Sequence, residues 1–313
     1  MSSTSEAMAI KKVAVIGAGA MGAQIATLTA FSGRPVRLYD ALPAAMASAQ
    51  TRIHQQIAPE IERAAMLPAD PVDALARLTF ASSLEEAVDG ADLVIEAVRE
   101  DLDVKRALFT ELDQLAPDAI LSTNSSSIPS SAIASAVTKP ERLLNTHFFA
   151  PIWVRTMLEV MSCGQTEPDI VSAAVRFGRS LGLATAAVHG QSKGFIINRI
   201  WRAVKRESLR VVDDGIASPE DIDRLWMIFF QTKYAPFGIM DMVGLDVIRD
   251  IEWSYQRETS DPTDVPSATL KRLITAGDLG EKSGRGFYTH PHPTYLDDDF
   301  LAGGAVAKDG SND

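Results

Sequence analysis

Apolar positions in the first half of the chain fall into short blocks, each closed by glycine, aspartate, asparagine or serine. Longer stretches with helical spacing separate them. The blocks are "KKVAVIG", "RPVRLYD", "ARLTFASS", "ADLVIEAV", "DAILSTNSS", "LLNTHFF", "TMLEVMS" and "LATAAVHG". Segments such as "DVKRALFTELDQL" between them carry apolar residues three and four apart. Strands alternating with helices predict an α/β fold with a mostly parallel sheet covered on both faces. "ALPAAMASAQTRIHQQIAPEIERAAM" reads as one long helix interrupted near Pro59, because proline removes a helical N–H. From about Gln191 the pattern turns wholly helical: "GFIINRIWRAVKRESLRVVDDG", "SPEDIDRLWMIFF", "GIMDMVGLDVIRDIEWSYQ" and "SATLKRLITAG". Ser218 is placed to cap the second of these, with acidic residues in the first turn. The expected organisation is a disordered start (1–10), a sheet domain (11–190), an all-α domain (191–289) and a loose tail (290–313).

The length of 313 residues leaves room for two such domains. A net charge of −11 argues against sequence-independent binding of nucleic acid or an anionic membrane, both of which need a basic face. It leaves room for a local basic pocket. The one cysteine, Cys163, allows no intramolecular disulfide and fits a reducing compartment. Nothing around it marks an activated nucleophile. The start "MSSTSEAMAIKK" has no secretory apolar run, and no stretch approaches the ~20 apolar residues of a membrane span. A cytoplasmic protein is expected.

Candidate chemistry begins with "GAGAMG", formed by Gly17, Gly19, Ala20, Met21 and Gly22 between a strand and a helix. Alone, a G-x-G-x-x-G is a weak signal. Here the acidic residue that closes the second strand, Asp40, is also present. Gly17 allows the tight turn, Gly19 the approach of a pyrophosphate, and Gly22 close helix–strand packing. The helix N-terminus supplies N–H groups and a positive dipole end. Asp40 would accept ribose hydroxyls and repel a 2′-phosphate, so NAD is favoured over NADP. No metal-ligand set is assigned.

Oxidising an alcohol with NAD needs a base, and histidine is the usual one. His147 ends a buried strand, and Glu159 lies in the next apolar segment, where it is expensive to bury unless paired. From the residues alone His147 is either that base or a core histidine bonded to a carbonyl. Asn198 in "GFIINR" is similarly open. "STNSSS" falls at a strand end, where open α/β sheets place ligands.

Read in order, "VIGAGAMG", "VIEAVREDLDVK", "STNSSSI", "HFFAP", "LEV", "GFIINR", "DMVGLD" and "KSGRGFY" resemble the L-3-hydroxyacyl-CoA dehydrogenases over about residues 10–289. The resemblance implies a Rossmann-like domain, a helical domain that forms a homodimer, and an active site between them. It implies His147 as general base, Glu159 as its orienting partner, Ser126 on the substrate oxygen and Asn198 completing the polar network. Ser126, Glu100, Lys105 and Lys282 match positions that line the cofactor site. The substrate it implies is a 3-hydroxyacyl-CoA thioester.

The chain departs from that pattern at several positions. Ala150 stands for the usual Asn and Trp153 for the usual Pro, so Trp153 should fill volume near the substrate. Lys193 replaces a common Pro, and "APFG" replaces "GPFE". Arg63 and Gln56 stand where a lysine and a serine expected to contact coenzyme A would be. The helix after Asn198 carries Arg202, Lys205 and Arg206 instead of apolar residues. If these face a cleft they favour an anionic substrate; otherwise they form a solvated or interface surface. The alternative substrate is therefore a non-CoA 3-hydroxy acid or a carrier-bound thioester.

Overall fold

The computed structural model describes residues 9–261 and 264–303. They form two compact units that divide between Ile197 and Asn198, a few residues beyond the expected boundary near 190.

The first unit is built on eight strands: β1 (Val13–Ile16), β2 (Val36–Tyr39), β3 (Leu78–Phe80), β4 (Leu93–Glu96), β5 (Ile120–Thr123), β6 (Leu143–Phe148), β7 (Met157–Ser162) and β8 (Ala184–Val188). They lie side by side in the order β3-β2-β1-β4-β5-β6-β7-β8. The first six are parallel; β7 runs antiparallel to β6, and β8 runs with β7. Seven helices connect them: α1 (Ala20–Phe31), α2 (Pro43–Arg52), α3 (Ala58–Arg63), α4 (Pro71–Leu75), α5 (Leu84–Val88), α6 (Leu102–Leu115) and α7 (Pro168–Ser180). Strand alternation sends Val13, Val15, Leu93 and Ile95 into a core shared with Ile25 and Leu28 of α1. Ala14, Ile16 and Val94 join the opposite core with Phe109 and Leu112 of α6. Both faces are covered, so β1, β4, β5 and β6 are buried along their whole length.

The long helix expected to break near Pro59 does so through a π-helical segment, Ile53–Ile57, between α2 and α3. Pro59 has no N–H for the carbonyl four residues back, and the wider turn absorbs the mismatch. The expected disordered start is overturned at its last residue. Ile10 is buried in the core, and its carbonyl accepts from Arg34 Nε at 3.0 Å. Residues 1–8 lie outside the described residues.

The second unit contains most of α8 (Ile197–Asp213), then α9 (Pro219–Phe230), α10 (Pro236–Val243), α11 (Leu245–Thr259) and α12 (Ala268–Ala276). Ser218 caps α9 through Asp221 N, as its position suggested. Two buried aspartates organise this unit. Asp223 accepts from Phe237 N, Gly238 N and the Tyr288 hydroxyl, each at 2.9 Å. Asp241 accepts from Phe287 N, Tyr288 N and His290. The "DMVGLD" and "KSGRGFY" segments are thus two halves of one clamp.

The expected loose tail is corrected over residues 290–303. Tyr295 and Phe300 are buried in the helical core, and Arg224 donates to the Phe300 carbonyl at 2.6 Å. Single aromatic anchors hold this segment, which is why it shows no periodicity. Residues 304–313 lie outside the described residues.

A Cβ built on Gly286 would lie 2.1 Å from Asp241 Oδ1, which leaves glycine as the residue that fits the clamp. Gly286→Ala is expected to push Asp241 off the two amides and cost about 3 kcal/mol, combining overpacking with unpaired N–H groups. Urea unfolding checks this; a midpoint equal to wild type would refute the clamp.

Candidate active site

The glycine turn joins β1 to α1. Gly17 sits at φ +109°, and a Cβ there would lie 2.6 Å from the Ala97 carbonyl. A Cβ on Gly22 would lie 1.8 Å from the Gly17 oxygen. These two glycines are required by the protein's own packing. Gly19 is different, since a Cβ there meets no protein atom within 4 Å. As N-cap of α1 it offers no side-chain acceptor, and the first turn contains no acidic residue. Ala20 and Met21, which open the helix, therefore present a positive helix end that fits a phosphate. Asp40 braces the turn. Its two carboxylate oxygens accept from Ala18 N at 2.8 Å and Leu42 N at 2.9 Å, and Arg52 donates to the Ala18 carbonyl.

At the other side of the sheet, the antiparallel register of β6 and β7 sets His147 directly opposite Glu159. Their side chains meet, with Nδ1 2.9 Å from Glu159 Oε2. Both residues are buried. Glu159 Oε1 accepts from Ile196 N at 3.0 Å and Ile197 N at 2.9 Å, where α8 begins. Phe149 and Phe195 pack on the imidazole with centroids 4.2 and 4.7 Å away. With Glu159 an acceptor throughout, Nδ1–H donates and Nε2 carries the lone pair. The alternative of a core histidine bonded to a carbonyl is not what this ring does.

The polar "STNSSS" cluster falls at the end of β5, as expected. Thr123 and Ser125 are buried, while Ser126 is exposed. Asn124 accepts from Phe148 N at 2.9 Å and so ties this turn to the residue after His147. Glu100 accepts from Ser125 Oγ, and from Ser127 N and Oγ at 3.0 and 2.6 Å. Burial pushes the Glu100 carboxyl up, but these serine donors and the Lys105 charge bring it below its ordinary range. Residue patterns gave no sign of Glu96 or Asn145, both of which hold this region through buried hydrogen bonds.

Residues 12–191 match the model of the 3-hydroxyacyl-CoA dehydrogenase NAD binding domain, and residues 194–290 match that of the 3-hydroxyacyl-CoA dehydrogenase C-terminal domain. The chain belongs to the 3-hydroxyacyl-CoA dehydrogenase family. It is 32% identical to a probable 3-hydroxybutyryl-CoA dehydrogenase of Bacillus subtilis, over 92% of this chain and 100% of that protein. Among solved structures it is similar to FadB2 of Mycobacterium tuberculosis, with a TM-score of 0.81, 34% identity, and coverage of 90% of this chain and 99% of that one. A diketoreductase structure described by its dual catalysis of dicarbonyl compounds gives a TM-score of 0.80, 33% identity and the same coverage. The chain is an NAD-dependent oxidoreductase of this family.

The other residues that the family resemblance implied for the site have these surroundings. Lys105 is only 1% exposed, with its ammonium 2.6 Å from Glu96 and 3.4 Å from Glu100, so it braces this turn from inside. Lys282 lies in the helical unit and pairs with Asp246. Gln56 is exposed on the π-helical segment, and Arg63 at the end of α3 pairs with Glu60 at 2.6 Å. Trp153 packs half-buried on the main core. Asn198 lies half-buried in the first turn of α8.

Arg202, which would favour an anionic substrate if it faced a cleft and otherwise belong to a solvated or interface surface, is paired within its own unit. It pairs with Glu252 at 2.8 Å and Asp264 at 2.9 Å and stacks on Tyr255, and Arg206 shares Asp264. Lys205 is buried beside this network, and burial pushes its ammonium down to about 8 against the pull of Glu252.

Between pH 8 and the ordinary lysine value the unfolded chain binds the proton that folded Lys205 lacks, so stability rises with pH. The charged form costs at most roughly 3 kcal/mol at pH 7. Lys205→Met is therefore expected to raise the melting temperature at pH 7, with the gain shrinking as pH climbs through 8. A pH-independent difference in calorimetry would rule this out.

Proposed function

We propose that the chain oxidises an L-3-hydroxyacyl-CoA thioester to the 3-keto compound with NAD⁺. The carrying observation is the His147–Glu159 pair at the carboxyl end of a sheet whose opposite half bears the glycine turn. The family and the 3-hydroxybutyryl-CoA dehydrogenases among its relatives support the thioester.

NAD⁺ supplies the hydride acceptor. The α1 N-terminus would hold its pyrophosphate, with the open space at Gly19 leaving room for close approach, and Asp40 would hold its ribose hydroxyls. His147 Nε2 takes the proton from the substrate's 3-hydroxyl as the C3–O bond gains double-bond character. Glu159 holds the ring with Nε2 available and stabilises the imidazolium that forms. Glu159 is fixed for this by the two amides on its other oxygen. Phe149 and Phe195 keep water from the ring. The exposed Ser126 hydroxyl binds the substrate oxygen, and Asn198 completes the polar network.

The same reading includes a homodimer formed through the helical unit. The apolar Leu225, Ile228, Phe229 and Phe230 of α9 support it, Phe229 being 79% exposed.

The first assay mixes protein and NAD⁺ with L-3-hydroxybutyryl-CoA or with the free acid and follows nicotinamide absorbance. Turnover of the thioester is expected. Turnover of the free acid alone would overturn the thioester reading in favour of a small hydroxy acid. His147→Gln is expected to lower kcat by roughly 10³-fold while NAD binding by calorimetry is retained. Wild-type rates in that variant would dismiss His147 as the base.

A further inference from the structure

Glu96 closes β4 and is completely buried, in a place no cofactor or substrate role has been given to it. Oε1 accepts from Val98 N at 2.6 Å and from Lys105 Nζ at 2.6 Å. Oε2 accepts from Thr123 Oγ1 at 2.6 Å, at the end of the neighbouring strand β5. Lys105 in turn reaches Glu100, which gathers Ser125 and Ser127 on either side of Ser126. One continuous set of hydrogen bonds and ion pairs therefore runs from the end of β4 to the serine turn.

The same carboxylate also touches the other side of the site. By holding Val98 N, it fixes the Ala97–Val98 peptide. That peptide is what Gly17 packs against, so closely that a Cβ on Gly17 would lie 2.6 Å from the Ala97 carbonyl and 2.9 Å from Val98 N. The glycine turn and the serine turn are thus both braced on Glu96.

Stability alone is a weak reason to keep such a pair. Removing two charges from water is costly, and well-packed apolar residues of similar volume often stabilise as well or better. Their arrangement across two turns gives the pair another use.

We propose that Glu96 and Lys105 are positioning residues that hold the glycine turn and the serine turn in register, so that cofactor and hydroxyacyl substrate meet in reactive geometry. This rests on the function proposed above for those two turns. Misplacement by about 1 Å is enough to cost on the order of 10²-fold in rate.

The test uses the full chain and the variants Glu96→Gln, Lys105→Met and the two combined. Each single substitution leaves a buried group without its partner and is expected to lower the melting temperature. The combined variant removes both charges and is expected to recover most of that loss. Its kcat with L-3-hydroxybutyryl-CoA is expected to stay roughly 10²-fold down, with the KM for the thioester little changed. Its crystal structure is expected to show the Gly19-to-Ser126 Cα separation altered by about 1 Å. Recovery of kcat together with stability, or an unaltered separation, would reduce the pair to a structural ion pair and overturn the proposal.

Should the combined variant fail to fold, Thr123→Val cuts one arm of the network at constant shape and strands no charge. It is expected to lower kcat several-fold at a near-normal melting temperature, and an unchanged kcat overturns the proposal. A wild-type protein inactive on every 3-hydroxyacyl-CoA would instead remove the proposed function, and the Cα separation would still decide the positioning role.

Discussion

The reversal of strand direction between β6 and β7 makes the His147–Glu159 pair possible. In a parallel neighbour the opposing residues would be offset by slanted hydrogen bonds and reached only through a long crossover. Antiparallel pairing puts the two side chains opposite one another on the same face after a short connection. A carboxylate in that apolar strand has to be fully engaged or it would drive the fold apart. Glu159 meets that requirement with one oxygen on the imidazole and the other on the amides that open α8. The requirement to satisfy one buried acid therefore orients the His147 ring and also fixes where the chain leaves the sheet.

The opposite half of the sheet follows a related logic with backbone groups. Gly17 and Gly22 are dictated by van der Waals contact with Ala97 and with each other's turn, so they would be needed even in a protein with no ligand. Gly19 is free of such contact, so packing within the protein does not demand a glycine there. This separates a glycine-rich turn that merely folds from one shaped for a close-lying anion. Asp40 illustrates a double duty, since both of its oxygens already hold backbone N–H groups of the loops it would share with a ribose.

Much of this was legible in the amino-acid order. Strand blocks, the cap at Ser218, the glycine turn and the His147–Glu159 pairing all depend on local patterns or on one strand register. What escaped notice depends on contacts far apart in the chain. Glu96 looked like the tail of an apolar strand, and its partners Lys105 and Thr123 lie 9 and 27 positions away. Lys105 was placed at the cofactor site by its match to the family pattern, and only the structure shows that its ammonium turns inward to Glu96. The closing segment looked loose because Tyr295 and Phe300 are single anchors with no period to detect.

Arg202 shows how charge read along a sequence can mislead about a substrate. Three cations replacing apolar residues on one helix suggest an electropositive wall when their neighbours are unknown. In the folded helical unit the acids that answer them come from α11 and the segment after it: Glu252 takes Arg202, and Asp264 takes both Arg202 and Arg206. The substitution is then a matched exchange of apolar packing for a polar network inside one unit. It gives no separate reason to look for an anionic substrate. Trp153, another departure that hinted at a rebuilt pocket, packs half-buried against the main core. With the cations and Trp153 answered by pairing and packing, Ala150, Gln56 and Arg63 are the departures that still set the substrate side apart, against a His147–Glu159 pair and a glycine turn that keep the family pattern.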